Sequence, residues 1–274
     1  MSPSPLSNLA VEKFDISVIP SVTASAAKSV GTPRKPKYSP WLALNQLCRR
    51  ALPQQCGLCA APCGNLLVCT PCSLSLPRIG SACPLCALPA PDGALCGTCI
   101  ARPPPFAASF AAFAYAFPLD RLMQAFKYGG RLSHADFFAA ALSEKVAERP
   151  AAMRWPDALV ALPLAPSRQR ERGFDQAAEI ARRVARITGI CRVAGLRRTR
   201  DTPAQAALPW KERARNVRGA FAADPAFGGL RIAIVDDVMT TGATLVAAAE
   251  AVLRAGASGV EAWAVARTLP PAHS

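Results

Sequence analysis

Eight of the eleven cysteines are laid out as two copies of one array. Cys56-x2-Cys59-x9-Cys69-x2-Cys72 recurs, shifted by 27 residues, as Cys83-x2-Cys86-x9-Cys96-x2-Cys99. Leu58, Ala60 and Pro62 recur with it as Leu85, Ala87 and Pro89, so the spacing is an internal repeat. A C-x2-C turn places two thiolates on one knuckle, and two knuckles complete a tetrahedral site suited to Zn²⁺. All eight thiols are therefore expected to be metal ligands, two Zn²⁺ per chain. The spacing leaves open whether each repeat closes on itself or the knuckles cross-pair. Cys48 and Cys63 fall outside the repeat, with Cys63 a substitute ligand at most.

A disulfide reading would need an oxidising compartment. The N-terminus has no basic segment followed by an apolar core, so a cytoplasmic setting is expected. The longest apolar run, "FAASFAAFAYAF" (106–117), is far short of the roughly twenty residues of a membrane span. It reads as buried strand or hairpin, and no span is expected.

The repeat delimits the rest of the chain. Residues 1–45 hold eight Ser and six Pro without periodicity, and are expected to be a disordered basic tail. Residues 46–104 form the cysteine module. From 105 to 274 the texture becomes that of an α/β domain. "FPLDRLMQAFKYGG" predicts a helix opened by Pro118 and ended at Gly129-Gly130, where Lys127 would suit the helix C-terminus. Ser133 is a predicted N-cap for a helix to about Glu148, with Phe137, Ala141 and Leu142 on one face. "ALVALP" (158–163) predicts a strand, Asp175 the start of a helix closed by Gly189, and "RIAIV" (231–235) a second strand. A helix and the strand "GVEAWAVA" (259–266) follow. This alternation argues for a parallel sheet flanked by helices.

The net charge of +14 implies an anionic partner, whether phosphorylated metabolite, nucleic acid or acidic lipid. The charge is uneven. Residues 151–220 carry fifteen Lys or Arg against six Asp or Glu, and so supply +9 of it. In contrast, residues 232–253 contain no Lys or Arg at all.

That stretch without cations holds "IVDDVMTTGATL" (234–245). Asp236 and Asp237 follow the predicted strand, at the edge where parallel sheets bind ligands. Thr240, Thr241, Gly242, Ala243 and Thr244 turn from it into a helix, whose first N–H groups lack internal partners and suit an anion. The carboxylates suit hydroxyl groups or Mg²⁺. A phosphate at one end and a vicinal diol at the other describe a sugar phosphate. Neither a G-x-x-x-x-G-K loop nor a G-x-G-x-x-G fingerprint is present.

"VDDVMTTGAT" resembles the motif that binds 5-phosphoribosyl-1-pyrophosphate (PRPP) in type I phosphoribosyltransferases. From about Leu52 to Thr268 the chain resembles the competence-associated ComF family, in which a cysteine-rich zinc module precedes such a domain. "FKYGGR" (126–131), "PLAPSRQRERGFDQA" (163–177) and "RTRDTPAQAALPWKERARNVRGAF" (198–221) contribute to the match. The resemblance implies a type I phosphoribosyltransferase fold, with Asp236 and Asp237 taking the ribose hydroxyls and Thr240–Thr244 the 5-phosphate. Pro163–Arg168 would be the pyrophosphate loop, Arg168 and Arg172 would neutralise its ligand, and Thr199–Gln205 would be a flap. Asp236, Asp237 and Arg172 are then the expected catalytic residues, with Mg²⁺. Purine-salvage members carry Asp where this chain has Thr240, which leaves the acceptor open.

Two functions follow from the resemblance. One is phosphoribosyl transfer from PRPP to an unidentified acceptor, with a role in natural competence and use of imported DNA. The alternative is a non-catalytic nucleic-acid-binding factor that keeps the fold and meets single-stranded DNA or competence-machinery proteins. Arg172 is expected to serve pyrophosphate, and Arg182, Arg183 and Arg186 a DNA surface. Aromatic residues are sparse between 168 and 221, which argues against a base-stacking surface. His134 reads as structural, and His273 lies in the last residues.

Overall fold

The structure, a computed structural model, describes residues 54–64, 66–200, 217 and 219–270. The tail to residue 45, Cys48, His273 and the flap beyond Arg200 lie outside them.

Five strands form one parallel sheet: β3 (Ala108–Ala114), β4 (Ala158–Ala161), β5 (Cys191–Arg192), β8 (Arg231–Met239) and β9 (Gly259–Arg267). Their order across the sheet is β3-β9-β8-β4-β5, and each neighbouring pair is parallel. Two short antiparallel pairs accompany it, β1 (Gln54–Gln55) with β2 (Pro62–Gly64), and β6 (Leu196–Arg198) with β7 (Phe221–Ala223). The helices are α1 (Thr70–Leu74), α2 (Gly97–Ala101), α3 (Leu119–Tyr128), α4 (Ser133–Ala147), α5 (Pro166–Arg172), α6 (Gln176–Thr188) and α7 (Ala243–Arg254).

The two-residue period of the strands sends alternate side chains to opposite faces. Ala233, Val235, Trp263 and Val265 join Leu122, Phe126, Phe138, Leu142, Ile180 and Val184 of α3, α4 and α6 in one core. Ile232, Ile234, Ala262 and Ala264 join Leu245, Ala248 and Val252 of α7 in the other. Both faces being covered, the strands read as continuous apolar runs, as buried parallel strands do. Among the described residues no helix is long and apolar enough to cross a membrane.

Two predicted boundaries shift. Ser133 is the first residue of α4 rather than its cap, because Arg131 and Leu132 already turn and their carbonyls accept from the His134 and Ala135 amides. The strand that begins at Arg231 continues to Met239, because β9 keeps pairing with it as far as Met239 opposite Arg267. The acidic pair therefore lies within β8, as its sixth and seventh residues of nine, not after it. Asp175 caps α6 as expected, its Oδ1 accepting from the Ala178 amide at 2.9 Å, and Gly189 closes that helix in the left-handed region.

Strand order decides where a ligand can enter. From β4 the chain moves outward to β5, whereas from β8 it moves the other way to β9. The sheet thus has its topological switch point between β4 and β8, the place where open α/β sheets form their ligand crevice, beyond the strands' carboxyl ends. β4 stops pairing at Ala161, opposite Val235, and leaves through Leu162 and Pro163. Asp236 and Asp237 are the next residues of β8. The resemblance assigned pyrophosphate to the segment after β4 and ribose to the acidic pair, and both flank this crevice.

Candidate functional site

Asp236 and Asp237 are half-buried, and each side chain accepts from the next backbone amide, at 2.8 and 2.7 Å. Lys127, at the end of α3, places its Nζ 3.0 Å from Asp237 Oδ2. Burial pushes both carboxyls up, and for Asp236 the neighbouring Asp237 charge adds to the effect. For Asp237 the Lys127 ammonium overcomes burial and holds the group below its ordinary value. Lys127 thus meets Asp237 directly, and its charge also works to lower Asp236.

Glu261, at the opposite edge of the sheet, shows what a structural carboxylate looks like here. It meets Arg149 Nη2 at 2.8 Å and Trp263 Nε1 at 2.8 Å, with Arg231 Nη2 at 3.8 Å, and is 1% exposed. Its oxygens are saturated. The Asp236–Asp237 pair is less enclosed: both residues are half-buried, and a single ion pair, from Lys127 to Asp237, reaches them among the described residues.

Behind the acids, Gly242 sits at φ 82° as the cap of α7, a conformation that favours glycine, and a Cβ there would lie 2.8 Å from Met239 Cε. Thr240, Thr241, Ala243 and Thr244 are half-buried around it, and Thr241 Oγ1 accepts from the Ala243 amide at 3.2 Å. The start of α7 offers backbone donors to an anion.

Across the crevice, α5 is a short helix ended by Gly173 at φ 75°. Arg172 donates to Gln176 Oε1 at 3.0 Å and stacks over the Tyr128 ring at 5.2 Å. Its charge helps to hold Asp237 low. Arg168 lies one turn earlier, half-buried. Asp175 braces this wall: besides capping α6, its Oδ2 accepts from the Leu164 amide at 3.3 Å. Burial raises its pKa, and the Asp237 charge adds to the rise.

Lys127, Tyr128 and Asp175 thus belong to the site in roles the sequence did not disclose. The motif "FKYGGR" held the available signal for the first two. Arg183 moves the other way. It is 9% exposed, with Nε 2.6 Å from Asp136 Oδ1 and Nη1 bonded to Glu179 Oε2, and it ties α4 to α6. It is not part of a DNA surface. Arg182 and Arg186 are exposed. His134 is fully buried, and burial lowers its pKa.

The thiols fall into two groups, Cys56, Cys59, Cys69 and Cys72, and Cys83, Cys86, Cys96 and Cys99, with ligand atoms within 4.8 Å of one another in each. Each repeat closes on itself. Cys59 and Cys69 sulfurs are 3.7 Å apart, and Cys86 and Cys96 sulfurs 3.6 Å. Sulfurs around a tetrahedral Zn–S shell of about 2.3 Å would be about 3.8 Å apart, so both rings fit that metal. Burial alone would raise the Cys56 thiol, but the amides of Cys59, Cys69 and Leu58 outweigh it and bring it to about 6. Cys83 is brought to about 7 in the same way. Both knuckles place an alanine in the left-handed region, Ala60 at φ 60° and Ala87 at φ 56°. Cys63 is outside the ring and donates to the Leu66 carbonyl at 2.9 Å.

A parallel sheet with an acidic pair and a glycine–threonine turn into a helix at its switch point, together with two four-cysteine rings, defines an α/β protein with a cysteine-ring module that could hold metal ions. No family model matches the chain. Among curated relatives, the DNA utilization proteins YhgH of Salmonella typhimurium and Escherichia coli K12 are each 34% identical, over 80% of this chain and 99% of theirs. Competence protein F of Haemophilus influenzae is 30% identical over 63% of this chain and 78% of its own. The chain belongs to the family of these proteins, the ComF family. Among solved structures, the glutamine PRPP amidotransferase of Bacillus subtilis aligns with 51% of this chain and 30% of its own, at TM-score 0.34 and 20% identity. A purine phosphoribosyltransferase from Pyrococcus horikoshii aligns with 52% of this chain and 85% of its own, at TM-score 0.29 and 21% identity.

Proposed function

We propose that the chain binds PRPP and, with Mg²⁺, transfers its phosphoribosyl group to an acceptor, in the cytoplasm and in the service of DNA uptake or utilisation. The observation that carries this reading is the meeting of unlike groups at one switch point. Asp236 and Asp237 suit the ribose hydroxyls, Thr240–Thr244 and the start of α7 suit the 5-phosphate, and Arg168 and Arg172 approach from the strand across the crevice. The relatives' names supply the setting, DNA utilization and competence.

In this reading pyrophosphate departs as positive charge develops at the sugar. Arg172 stabilises the departing anion through its fixed guanidinium, held by Gln176 and Tyr128. Mg²⁺ would neutralise part of the same charge when bound. Asp236 and Asp237 orient the ribose by accepting from its hydroxyls. The thiolate rings take Zn²⁺ as structural ions and take no part in the reaction.

The alternative, a nucleic-acid factor without turnover, draws on the exposed Arg182, Arg186, Arg192, Arg197 and Arg200. Titration calorimetry with PRPP and Mg²⁺ separates the two. Binding by the parent chain that falls at least about tenfold (about 1.4 kcal/mol) in Asp236→Asn/Asp237→Asn supports the proposal. Single-stranded DNA affinity that survives this double change, with no PRPP binding, would favour the alternative.

A further inference from the structure

Arg267 ends β9 and is only 3% exposed. Its guanidinium reaches in two directions. Nε donates to the Cys86 carbonyl at 2.8 Å, inside the second thiolate ring. Nη1 donates to the carbonyls of Met239 and Thr268, both at 3.0 Å, and to that of Thr240. Met239 and Thr240 are the residues from which the anion-binding turn starts.

Every one of these acceptors is a neutral carbonyl, and no carboxylate pairs with Arg267 among the described residues. A buried guanidinium needs compensating charge. The second ring lies directly against it through Cys86, and four thiolates around a divalent cation would keep two net negative charges there. The ring is itself pinned to the sheet. The Ser109 amide donates to the Pro84 carbonyl at 2.7 Å and its Oγ to the Leu85 carbonyl at 2.8 Å. Knuckle, guanidinium and turn therefore form one continuous chain of contacts. The first ring is placed differently: Cys56, Val68 and Leu76 pack into the core with Leu122 and Phe126.

We infer that Arg267 is a positioning residue for the Thr240–Thr244 turn, and that through it the second thiolate ring, rather than the first, controls anion binding there. Metal in the second ring fixes the Cys83–Cys86 knuckle, the knuckle fixes the guanidinium, and the guanidinium holds the two carbonyls that set the direction of the turn. The ligand named in this inference rests on the PRPP reading. The coupling of ring to turn does not.

The test uses the full-length, zinc-loaded chain and the variants Cys96→Ser, Cys59→Ser, Arg267→Met and Arg267→Lys. Hydrogen exchange of the amides at 240–246, without ligand, reads the turn directly, and PRPP titration with Mg²⁺ reads the site. Loss of hydrogen bonds to a charged group predicts exchange at least about tenfold faster in Cys96→Ser and Arg267→Met, with a similar loss of PRPP affinity. Cys59→Ser leaves both within about twofold. Arg267→Lys keeps the charge but cannot span both sides, so it restores the melting temperature more fully than it restores slow exchange. Equal effects of Cys96→Ser and Cys59→Ser on the turn, or an unaltered turn in Arg267→Met, overturn the coupling. If Cys96→Ser does not fold, Arg267→Met with both rings loaded decides. If the parent chain binds no PRPP, the functional proposal falls while the exchange experiment still decides the inference.

Discussion

Replacing Lys127 by Met should convert the acidic pair from a compensated site into a source of instability. At 3.0 Å, and with an effective dielectric of about 20, the attraction between Lys127 and Asp237 is about 5 kcal/mol before desolvation is subtracted. The side chains are 17% and 15% exposed, so water screens part of this, but removal leaves a carboxylate whose burial has lost its nearest compensating cation. A loss of about 2–4 kcal/mol at pH 7 is expected. Arg78→Met, which breaks a pair at 3.4 Å whose side chains are 50% and 64% exposed, should cost at most about 1 kcal/mol.

The pH dependence fixes the cause. In the parent chain Asp237 is held below its unfolded value, so its contribution is present above that value and is lost only as pH falls through the lower folded one. Burial, the largest influence on Asp237, raises it, and without Lys127 only the Asp236 hydrogen bond and the Arg172 charge oppose that rise. Asp237 then costs stability near neutrality and is relieved on protonation. The difference between variant and parent should therefore shrink as pH falls from 7 towards about 4, the ordinary carboxylate range. Urea unfolding at several pH values measures it, and Lys127→Met/Asp237→Asn should be more stable at pH 7 than Lys127→Met alone. A pH-independent loss, or one no larger than that of Arg78→Met, refutes the reasoning.

The metal rings predict close to two Zn²⁺ per chain, measurable by metal analysis after purification without chelator, and a content well under one contradicts them. Ala60→Gly should stabilise the first knuckle by about 1 kcal/mol, because the left-handed conformation disfavours alanine and this alanine is exposed. Ala87→Gly should gain less, since Ala87 is 1% exposed and packs with Ile79, Ala111 and Ala114, so deleting its methyl leaves a small void; thermal melts compare the two. Arg183→Met should lower stability by about 2 kcal/mol in chemical denaturation, with single-stranded DNA retention on a column unaltered.

What could be read from the sequence was whatever is written in local spacing. Eight thiols at repeated intervals state their own chemistry, and the strand–Asp-Asp–turn–helix order states where a ligand would sit. Arg183 was also legible in principle. Ala177, Ile180, Arg183 and Val184 follow a helical i, i+3, i+6, i+7 spacing, so its place on the inward face could have been counted. Lys127 was not, because its partner is 110 residues further along the chain and meets it only after α3 packs on the sheet. Arg267 was hidden for the same reason: nothing local links a strand end to a cysteine knuckle 181 residues earlier. Strand order, and with it the switch point, follows from pairing among distant strands and leaves no mark on the pattern of any one of them.

The uneven charge of the sequence acquires its meaning from that strand order. The arginine-rich segment follows β4, and the stretch without Lys or Arg ends β8 and begins α7. In a sheet where these strands were far apart, the partition would be a matter of solubility alone. Because β4 and β8 are neighbours at the switch point, it becomes a partition across one crevice, with guanidinium groups on one wall and carboxylates with helix amides on the other. Two carboxylates in an anion-binding crevice are unfavourable unless they find donors that are not the anion itself. Lys127 meets that need for Asp237 in the free protein, and ribose hydroxyls meet it for both acids in the proposed complex. A simple phosphate offers no such donors, so it should bind this crevice less well than a phosphate carried on a vicinal diol. A polyanion without free hydroxyls should gather on the exposed arginines of 182–200 instead.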